Sequence, residues 1–252
     1  MLLVADIGNT NITLGFFDGD EYVNEIRIAS DRDLSCEEYE VILTKLLKDH
    51  KIDGCIIGSV VEELNEKFSS AVDKVLNIKS ILVTNELKTG VTVKIDCPDE
   101  LGADRIANAV TATTEYKGAV IVVDFGTATS FDVINSKREF LGGVIAPGIR
   151  TQLKSLYSAT SKLPKIQAEA VSNVIGHNTK DAILSGVVRG TAYMVEGILA
   201  QCEKELGEKP TVIATGGNSP LITKYIGDKF DAIDPIFTIK GLKYLYEKNS
   251  VR

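Results

Sequence analysis

Two aspartates that each follow a run of apolar residues are the first candidates for chemistry. The segment Asp6–Asn11 reads DIGNTN, and its glycine and asparagines can adopt positive φ, so that successive backbone N–H groups converge on one anion. A phosphate suits that geometry, but a carboxylate beside a phosphate is useful only when Mg²⁺ stands between them. The segment therefore predicts a nucleotide with its metal ion, with a simple hairpin turn and a solvated Asp6 as the alternative.

The same arrangement returns 118 residues later, at Asp124. The following residues, 125–130, read FGTATS and hold three hydroxyl side chains. Hydroxyl groups are costly to bury without hydrogen-bond partners, which a triphosphate would supply. Two such turns favour a nucleotide site over a packing explanation. The segment Thr215–Asn218, TGGN, also follows a short apolar run and would let a flat nucleobase approach the backbone, although Gly-Gly pairs are common in ordinary loops.

A further carboxylate, Asp104, lies within the segment Gly102–Arg105. Phosphoryl transfer depends mainly on positioning and charge stabilisation, and a carboxylate near the attacking oxygen is a recurrent part of such sites. The same four residues are also compatible with a helix start, where Asp104 complements the helix dipole and Arg105 forms a surface ion pair.

Composition and charge exclude several classes of protein. The chain has 252 residues, 44% of them hydrophobic and 25% charged, which is typical of a globular protein and not of a disordered or fibrous one. Its net charge of −7 and the lack of a basic run speak against nucleic acid as a partner. No stretch reaches the roughly 18 uninterrupted apolar residues of a membrane span, and the first apolar run, residues 2–5, is too short for a signal-peptide core. We therefore expect a cytoplasmic protein that does not enter a membrane.

The sequence has few residues that could form other common kinds of site. The four cysteines are far apart and form no CxxC pair, so we expect reduced, mostly buried thiols. His50 and His177 are the only histidines, which speaks against a histidine metal site or a Ser-His-Asp triad. The patterns of the P-loop and of the dinucleotide fingerprint are both missing from the sequence.

The elements that must position these residues follow from hydrophobic spacing and turn signals. Three strands are predicted first, then a helix that opens with a capping box at Ser35–Glu38 and runs to about Asp49. Strands and helices alternate afterwards, which favours parallel strands. The predicted strands are 2–5, 12–17, 22–28, 54–60, 78–83 and 211–214, and the predicted helices after the first are 62–76, 179–206 and 238–248.

The repetition of strand, aspartate and glycine turn at about half the chain length predicts a duplicated architecture. We expect two α/β lobes with mixed sheets flanked by helices, and a ligand site in the cleft between them. The first lobe would comprise residues 1–117, with the first phosphate turn and part of the substrate site. The second lobe, 118–252, would hold the second phosphate turn and the segment that approaches the base.

These turns resemble the phosphate and adenosine loops of the actin and hexokinase superfamily, and one family within it matches more closely. Five segments resemble, in order, the motifs of type III pantothenate kinase, and the tail at 234–242 is also similar. The resemblance implies the actin and ribonuclease H-like fold and the ATP-dependent phosphorylation of pantothenate, the first step toward coenzyme A. Members are usually homodimers, so it also implies a homodimer with an interface in the second lobe. The five segments are Asp6–Thr10, Gly102–Arg105, Asp124–Thr129, Gly142–Gly148 and Ile175–Thr179.

The resemblance also implies residue roles. Asp104 would be the general base that accepts the proton of the substrate hydroxyl, and Arg105 would pair with the substrate carboxylate. Asp6 would act through Mg²⁺, held by way of water or the nucleotide, and Asp124 would bind a monovalent cation, K⁺ or NH₄⁺. The remaining implied ATP contacts are Gly8, Asn9, Thr10, Asn11, Ile12, Gly126 and Thr127, and the implied substrate pocket is lined by Ile95, Gly102, Ala103, Asp104, Arg105 and Thr179.

The chain departs from the family pattern at two positions. Ile95 stands where the family usually has a tyrosine, so a hydroxyl contact to the substrate is missing, and Glu62 stands where the family usually has a proline. Ile95 keeps open a kinase for another small hydroxylated substrate, such as a sugar. The alternative from another class is a nucleotide-binding regulatory protein without turnover, against which the presence of Asp104 argues.

Overall fold

The computed structural model describes residues 1–250, which form two compact units. The first unit comprises Met1–Gly90, Asp96–Thr111 and the described residues from Thr238 onward. The second unit comprises Val91–Ile95 and Ala112–Phe237.

Strands and helices alternate along much of the described chain. The strands are β1 Leu2–Ile7, β2 Asn11–Asp18, β3 Glu21–Ala29, β4 Gly54–Ser59, β5 Ile81–Leu82, β6 Thr92–Val93, β7 Val120–Phe125, β8 Ala128–Ile134, β9 Glu139–Pro147, β10 Thr211–Thr215 and β11 Ala232–Ile233. The helices are α1 Cys36–Leu47, α2 Glu62–Leu76, α3 Ala103–Glu115, α4 Ile149–Ser158, α5 Thr179–Leu184, α6 Gly190–Leu206, α7 Ser219–Ile226 and α8 Phe237–Asn249.

The sheet of the first unit has the order β3-β2-β1-β4-β5. The first three strands are antiparallel, and β4 and β5 join in parallel because helices connect them to the strands before. One face of β1, with Leu3, Ala5 and Ile7, is fully buried in the core with residues of α1 and α2. The opposite face carries Val4 and Asp6, since side chains alternate along a strand.

Helix α1 begins at the predicted capping box. The backbone N–H of Glu38 donates to the Ser35 hydroxyl at 3.2 Å, and the backbone N–H of Ser35 donates to the Glu38 carboxylate at 2.8 Å. Each residue thereby satisfies a donor that the helix itself leaves unpaired, which confirms the predicted start.

Helix α8 packs on the Asp6 face of the first sheet at positions without a side chain. Ile239 lies over Gly15 and Leu242 over Gly58, where an added Cβ would come within 2.8 and 2.7 Å of those side chains. The glycines therefore let a helix lie close to the sheet beside Asp6.

The sheet of the second unit has the order β11-β10-β7-β8-β9-β6. Strands β7, β8 and β9 are antiparallel, and β10 and β11 run parallel to β7, which repeats the pairing of β1 to β5. The added strand β6 pairs in parallel with β9. The predicted duplicated α/β architecture with mixed sheets and flanking helices is confirmed.

The helix predicted from 179 to 206 is interrupted by a π-helical segment, Ser185–Arg189, between α5 and α6. By length and composition, Thr179–Leu206 could cross a membrane. Its buried residues Leu184, Val188 and Val195 instead belong to the core of the second unit. A core helix of a soluble protein passes the same test of length and composition.

Three expectations differ from the structure. A division at residue 118 places the last helix in the second lobe, but α8 packs on the first sheet and belongs to the first unit. The strand expected at 78–83 is reduced to β5, because only Ile81 and Leu82 pair with β4. Of the four free cysteines, Cys55 is buried whereas Cys97 is exposed, so the thiols are not mostly buried.

Candidate active site

The first glycine turn joins β1 to β2 and is held by backbone hydrogen bonds. The N–H of Gly8 donates to the carbonyl of Asn11 at 3.0 Å, and the N–H of Ser30, just after β3, donates to the carbonyl of Thr10 at 3.0 Å. Asn9, Thr10 and Asn11 are exposed. The turn therefore presents polar groups to solvent while the end of β3 supports it, which suits a ligand-binding turn.

Ile12, an implied ATP contact, is fully buried in the core of the first unit. It lies opposite Ile7 across the hairpin, and both side chains belong to that core. The whole residue, backbone included, is hidden from solvent, so Ile12 serves packing and is not exposed to a nucleotide.

Asp6 and Asp104 lie close enough in the first unit for their charges to interact, although they are distant in sequence. Burial and then the charge of Asp104 raise the pKa of Asp6 to about 7, and the charge of Arg27 opposes them. Burial also raises the pKa of Asp104, against the backbone N–H and the charge of Arg105, which lower it. Both residues are partly exposed as a whole. Two partly accessible carboxylates with raised pKa values are typical of a functional site.

The position of Asp104 depends on the start of α3. Its carboxylate accepts the backbone N–H of Arg105 at 2.8 Å, so the helix-start interpretation describes part of its role. An added Cβ on Gly102 would come 2.6 Å from Oδ1 of Asp104 and 3.3 Å from Val60. Gly102 is therefore required because a side chain there would displace the carboxylate.

Arg27 is a site residue that the sequence interpretation missed. Asp6 lies opposite Thr13, and Thr13 lies opposite Arg27, so these three side chains share one face of the sheet. The Arg27 guanidinium also pairs with Glu25 at 2.7 Å. Its positive charge lowers the pKa of Asp6 and so favours the ionised carboxylate.

A bulge explains why Arg27 is hard to find in the sequence. Asp18 lies opposite Glu21 at the turn, and the register shifts between Phe16 and Phe17. Counting back from the turn without this bulge would place Arg27 on the other face of the sheet, since a shift of one residue reverses every side chain.

The second glycine turn joins β7 to β8, and Asp124 lies near the end of β7. Ser130 of β8 and Thr215 of β10 lie beside it in register, so a carboxylate and two hydroxyl side chains share one sheet face. Gly216 follows with φ of +85°, and an added Cβ would come 2.2 Å from Oδ1 of Asp124 and 2.7 Å from the backbone N of Phe125. The backbone after β10 can therefore lie against this turn only because residue 216 is glycine.

Neighbouring elements of the second unit hold this turn from two sides. The backbone N–H and the side-chain amide of Asn218 each donate to the carbonyl of Phe125 at 3.1 Å. The N–H of Gly148 and the hydroxyl of Thr151 donate to the carbonyl of Thr127 at 3.0 and 2.8 Å. Thr127 itself is exposed, so its side chain is accessible to a ligand.

Thr129 corrects the expectation that every hydroxyl in 125–130 serves a phosphate. It lies opposite Phe125, whose side chain belongs to the core of the second unit. Its side-chain oxygen is buried and has no hydrogen-bond partner among the described residues. Because side chains alternate along β8, Thr129 and Asp124 lie on opposite sheet faces.

Two implied substrate residues lie in the second unit. Thr179 begins α5, which Asn178 caps by accepting the N–H of Asp181 at 2.9 Å. Thr179 lines an open cavity of about 940 Å³, large enough for a small organic molecule. Ile95 lies 3.6 Å from the position of a Cβ added to Gly142.

Comparison with proteins of known family indicates the function of these two turns. The sequence model of type III pantothenate kinase matches residues 2–201. The chain belongs to the type III pantothenate kinase family. It is 41% identical over 255 aligned positions to a type III pantothenate kinase of Exiguobacterium sp., covering 99% of each chain. Identity to the type III pantothenate kinase of Moorella thermoacetica is 40%, covering 99% of this chain and 100% of the relative.

Solved structures support the fold of this pantothenate kinase family member. A protein assigned as 2-dehydro-3-deoxygalactonokinase from Sinorhizobium meliloti superposes with a TM-score of 0.63 at 14% identity, covering 100% of this chain and 98% of that chain. Ethanolamine utilization protein EutJ from Carboxydothermus hydrogenoformans gives a TM-score of 0.52 at 14% identity, covering 96% and 87%. At such identities the likeness shows the fold alone.

The donor groups near the two turns fit cations that a nucleotide helps to bind. Among residues 1–250, no group of three or more histidine, cysteine, aspartate and glutamate side chains is placed to hold a metal ion. Asp6 offers a carboxylate to Mg²⁺, whose remaining ligands would be phosphate oxygens and water. Asp124, with hydroxyl side chains beside it in register, offers oxygen donors to a monovalent cation.

Proposed function

We propose that the chain transfers the γ-phosphoryl group of ATP to pantothenate and forms 4'-phosphopantothenate, the first step of coenzyme A biosynthesis. The observation that carries this proposal is the pair of interacting carboxylates, Asp6 and Asp104, beside the first glycine turn of a family member. One carboxylate can serve a metal-bound nucleotide and the other the attacking hydroxyl.

Asp104 is the general base of the proposed reaction. The substrate hydroxyl oxygen forms a bond to the γ-phosphorus, the bond from that phosphorus to the β–γ bridging oxygen breaks, and ADP leaves. The hydroxyl proton passes to the Asp104 carboxylate. Its raised pKa suits this role, because a base is more effective when its pKa approaches the operating pH.

The other site residues bind and orient the two substrates. Mg²⁺, when bound with ATP, neutralises charge on the phosphates, and Asp6 would hold it by way of water or the nucleotide. Arg105 pairs with the pantothenate carboxylate. The further contacts are Gly8, Asn9, Thr10, Asn11, Gly126 and Thr127 for ATP, and Ile95, Gly102, Ala103 and Thr179 for pantothenate.

The protein would work in the cytoplasm as a homodimer. Exposed apolar side chains of the second unit support self-association: Ile145 is 64% exposed, Tyr157 49% and Ile175 76%. Contact with a second copy of the chain would remove this apolar surface from water, which is favourable.

Release of ADP by the purified protein tests the proposed reaction. With ATP, Mg²⁺ and K⁺, we expect turnover that depends on pantothenate, and little turnover with a panel of sugars. Turnover on a sugar instead would favour another small hydroxylated substrate and would direct attention to Ile95, which lacks a hydroxyl. Tight ATP binding with no turnover on any substrate would favour a regulatory protein.

Replacing K⁺ by Na⁺ tests the proposed role of Asp124. Activity is expected to be high in K⁺ or NH₄⁺ buffer and to fall sharply in Na⁺ buffer of equal ionic strength. Asp124→Asn should remove most of the difference, since the carboxylate supplies the charge that holds the cation. Equal wild-type turnover in the three buffers would assign Asp124 another role.

A further inference from the structure

Arg32 lies in the loop between β3 and α1, and its side chain reaches the first glycine turn. Its Nη2 donates to Oδ1 of Asn9 at 2.8 Å. Its backbone carbonyl accepts a hydrogen bond from Nζ of Lys67 at 2.8 Å, which anchors the loop to α2. The backbone and the guanidinium of Arg32 are thus each held by a hydrogen bond, and the guanidinium lies beside an exposed residue of the turn.

The second partner of the Arg32 guanidinium is weak. Nη1 lies 3.4 Å from Oε1 of Glu63, and the two side chains are 50% and 60% exposed. An exposed ion pair of this length contributes little to stability, about 0 to 1 kcal/mol. A charged phosphate group would compete well for the N–H groups of Arg32. A planar guanidinium group can donate to two oxygens of one phosphate at the same time.

The positive charge of Arg32 would offset the negative charges near the turn when a phosphate binds. Asp6 and Asp104 are two carboxylates close enough for their charges to interact, and when ionised they repel the phosphate oxygens of a nucleotide. Arg27 is engaged by Glu25 at 2.7 Å. Arg32, by contrast, is held toward the turn by a neutral amide and has only a long contact with a carboxylate.

We propose that Arg32 binds the phosphate chain of the nucleotide at the first glycine turn. Asn9 orients the guanidinium, and Glu63 occupies its second N–H group until a phosphate replaces it. Arg32 is thus a phosphate-binding residue, and Glu63 is an internal competitor that weakens nucleotide binding. The proposal rests on the proposed function in one respect, namely that the turn Asp6–Asn11 binds nucleotide phosphate.

Binding of MgATP and of adenosine to matched variants tests this proposal by titration calorimetry. Arg32→Ala should raise the Kd for MgATP about 10- to 100-fold, as expected for loss of a charge-assisted contact, and should leave adenosine binding unchanged. Arg32→Lys should restore only part of the affinity, because an ammonium group cannot bind in a bidentate manner. Glu63→Gln should lower the Kd for MgATP about two- to fivefold, since it removes the competing charge.

The ion pair of Lys74 in α2 and Glu40 in α1, at 2.6 Å, supplies control variants. Lys74→Ala and Glu40→Gln should leave the Kd for MgATP unchanged. Unchanged MgATP affinity in Arg32→Ala, or a loss of affinity for adenosine equal to that for ATP, would overturn the proposal, as would weaker binding by Glu63→Gln.

The steady-state constants separate nucleotide binding from a purely structural role. Arg32→Ala should raise KM for ATP more than it lowers kcat, and a lower melting temperature with unchanged KM would contradict the proposal. Wild-type protein that binds no MgATP overturns the nucleotide site itself. Wild-type binding and turnover with an unaffected Arg32→Ala variant overturns the role of Arg32 alone.

Discussion

Asp104→Asn is expected to lower kcat by about two to four orders of magnitude while leaving ATP binding largely intact. The amide has nearly the same shape and can still accept the backbone N–H of Arg105, so α3 should start as before. It cannot accept the proton of the substrate hydroxyl. Loss of the Asp104 charge also lowers the pKa of Asp6, which favours the ionised carboxylate expected to serve the metal.

ADP release with saturating ATP and pantothenate measures the effect, and MgATP titration checks that the variant still binds nucleotide. Asp99→Asn is a matched control, because Asp99 is exposed in the 3-10 turn just before α3. Its kcat should equal that of the wild type. Near-normal turnover by Asp104→Asn would remove Asp104 from the role of general base.

Asp6→Asn should stabilise the ligand-free protein at pH 8.5 by about 2 to 4 kcal/mol and abolish productive MgATP binding. The pKa of Asp6 is raised from 3.8 to about 7, chiefly by burial. A difference of one in pKa corresponds to about 1.4 kcal/mol in the free energy of unfolding. Because Asp6 is partly exposed, the expected gain in stability is smaller than the whole pKa difference would give. The native state therefore disfavours the carboxylate charge that a metal-bound nucleotide would use.

The sign of the pH dependence follows from linkage. Because the native pKa is above the unfolded one, the contribution of Asp6 to stability is fully present below about pH 4 and is lost as the pH rises through about 7. The stability difference between variant and wild type should thus grow between these two values and stay constant above. Denaturant unfolding at pH 4, 5.5, 7 and 8.5, with a chelator present, measures it.

Asp53→Asn is the control of opposite sign. Its carboxylate binds the N-terminal ammonium group, which holds the pKa of Asp53 below its usual range, so neutralising it should not stabilise the protein. A variant Asp6→Asn that is less stable than the wild type at pH 8.5 would contradict the burial of a disfavoured charge. The expected exchange of stability for ligand binding is common at functional sites.

Much of this protein was determined by local patterns in its sequence. The capping box at Ser35 and Glu38 and the apolar spacing of α2 predicted helices close to the observed ones. Continuous apolar runs ending at Asp6 and Asp124 predicted two strands and their turns. Such signals can be read in sequence because capping, helical periodicity and short apolar runs involve residues that are near one another in the chain.

The tertiary structure alone decided which distant residues meet and what their surroundings do to them. Asp6 and Asp104 interact only because β1 and the start of α3 lie together in the first unit, and the raised pKa of Asp6 depends on burial by residues from several elements. Gly216 is required by a carboxylate from another strand. Arg27 faces Asp6 because a bulge shifts the register. Burial, register and charge interactions arise from contacts between distant segments, so no local pattern encodes them.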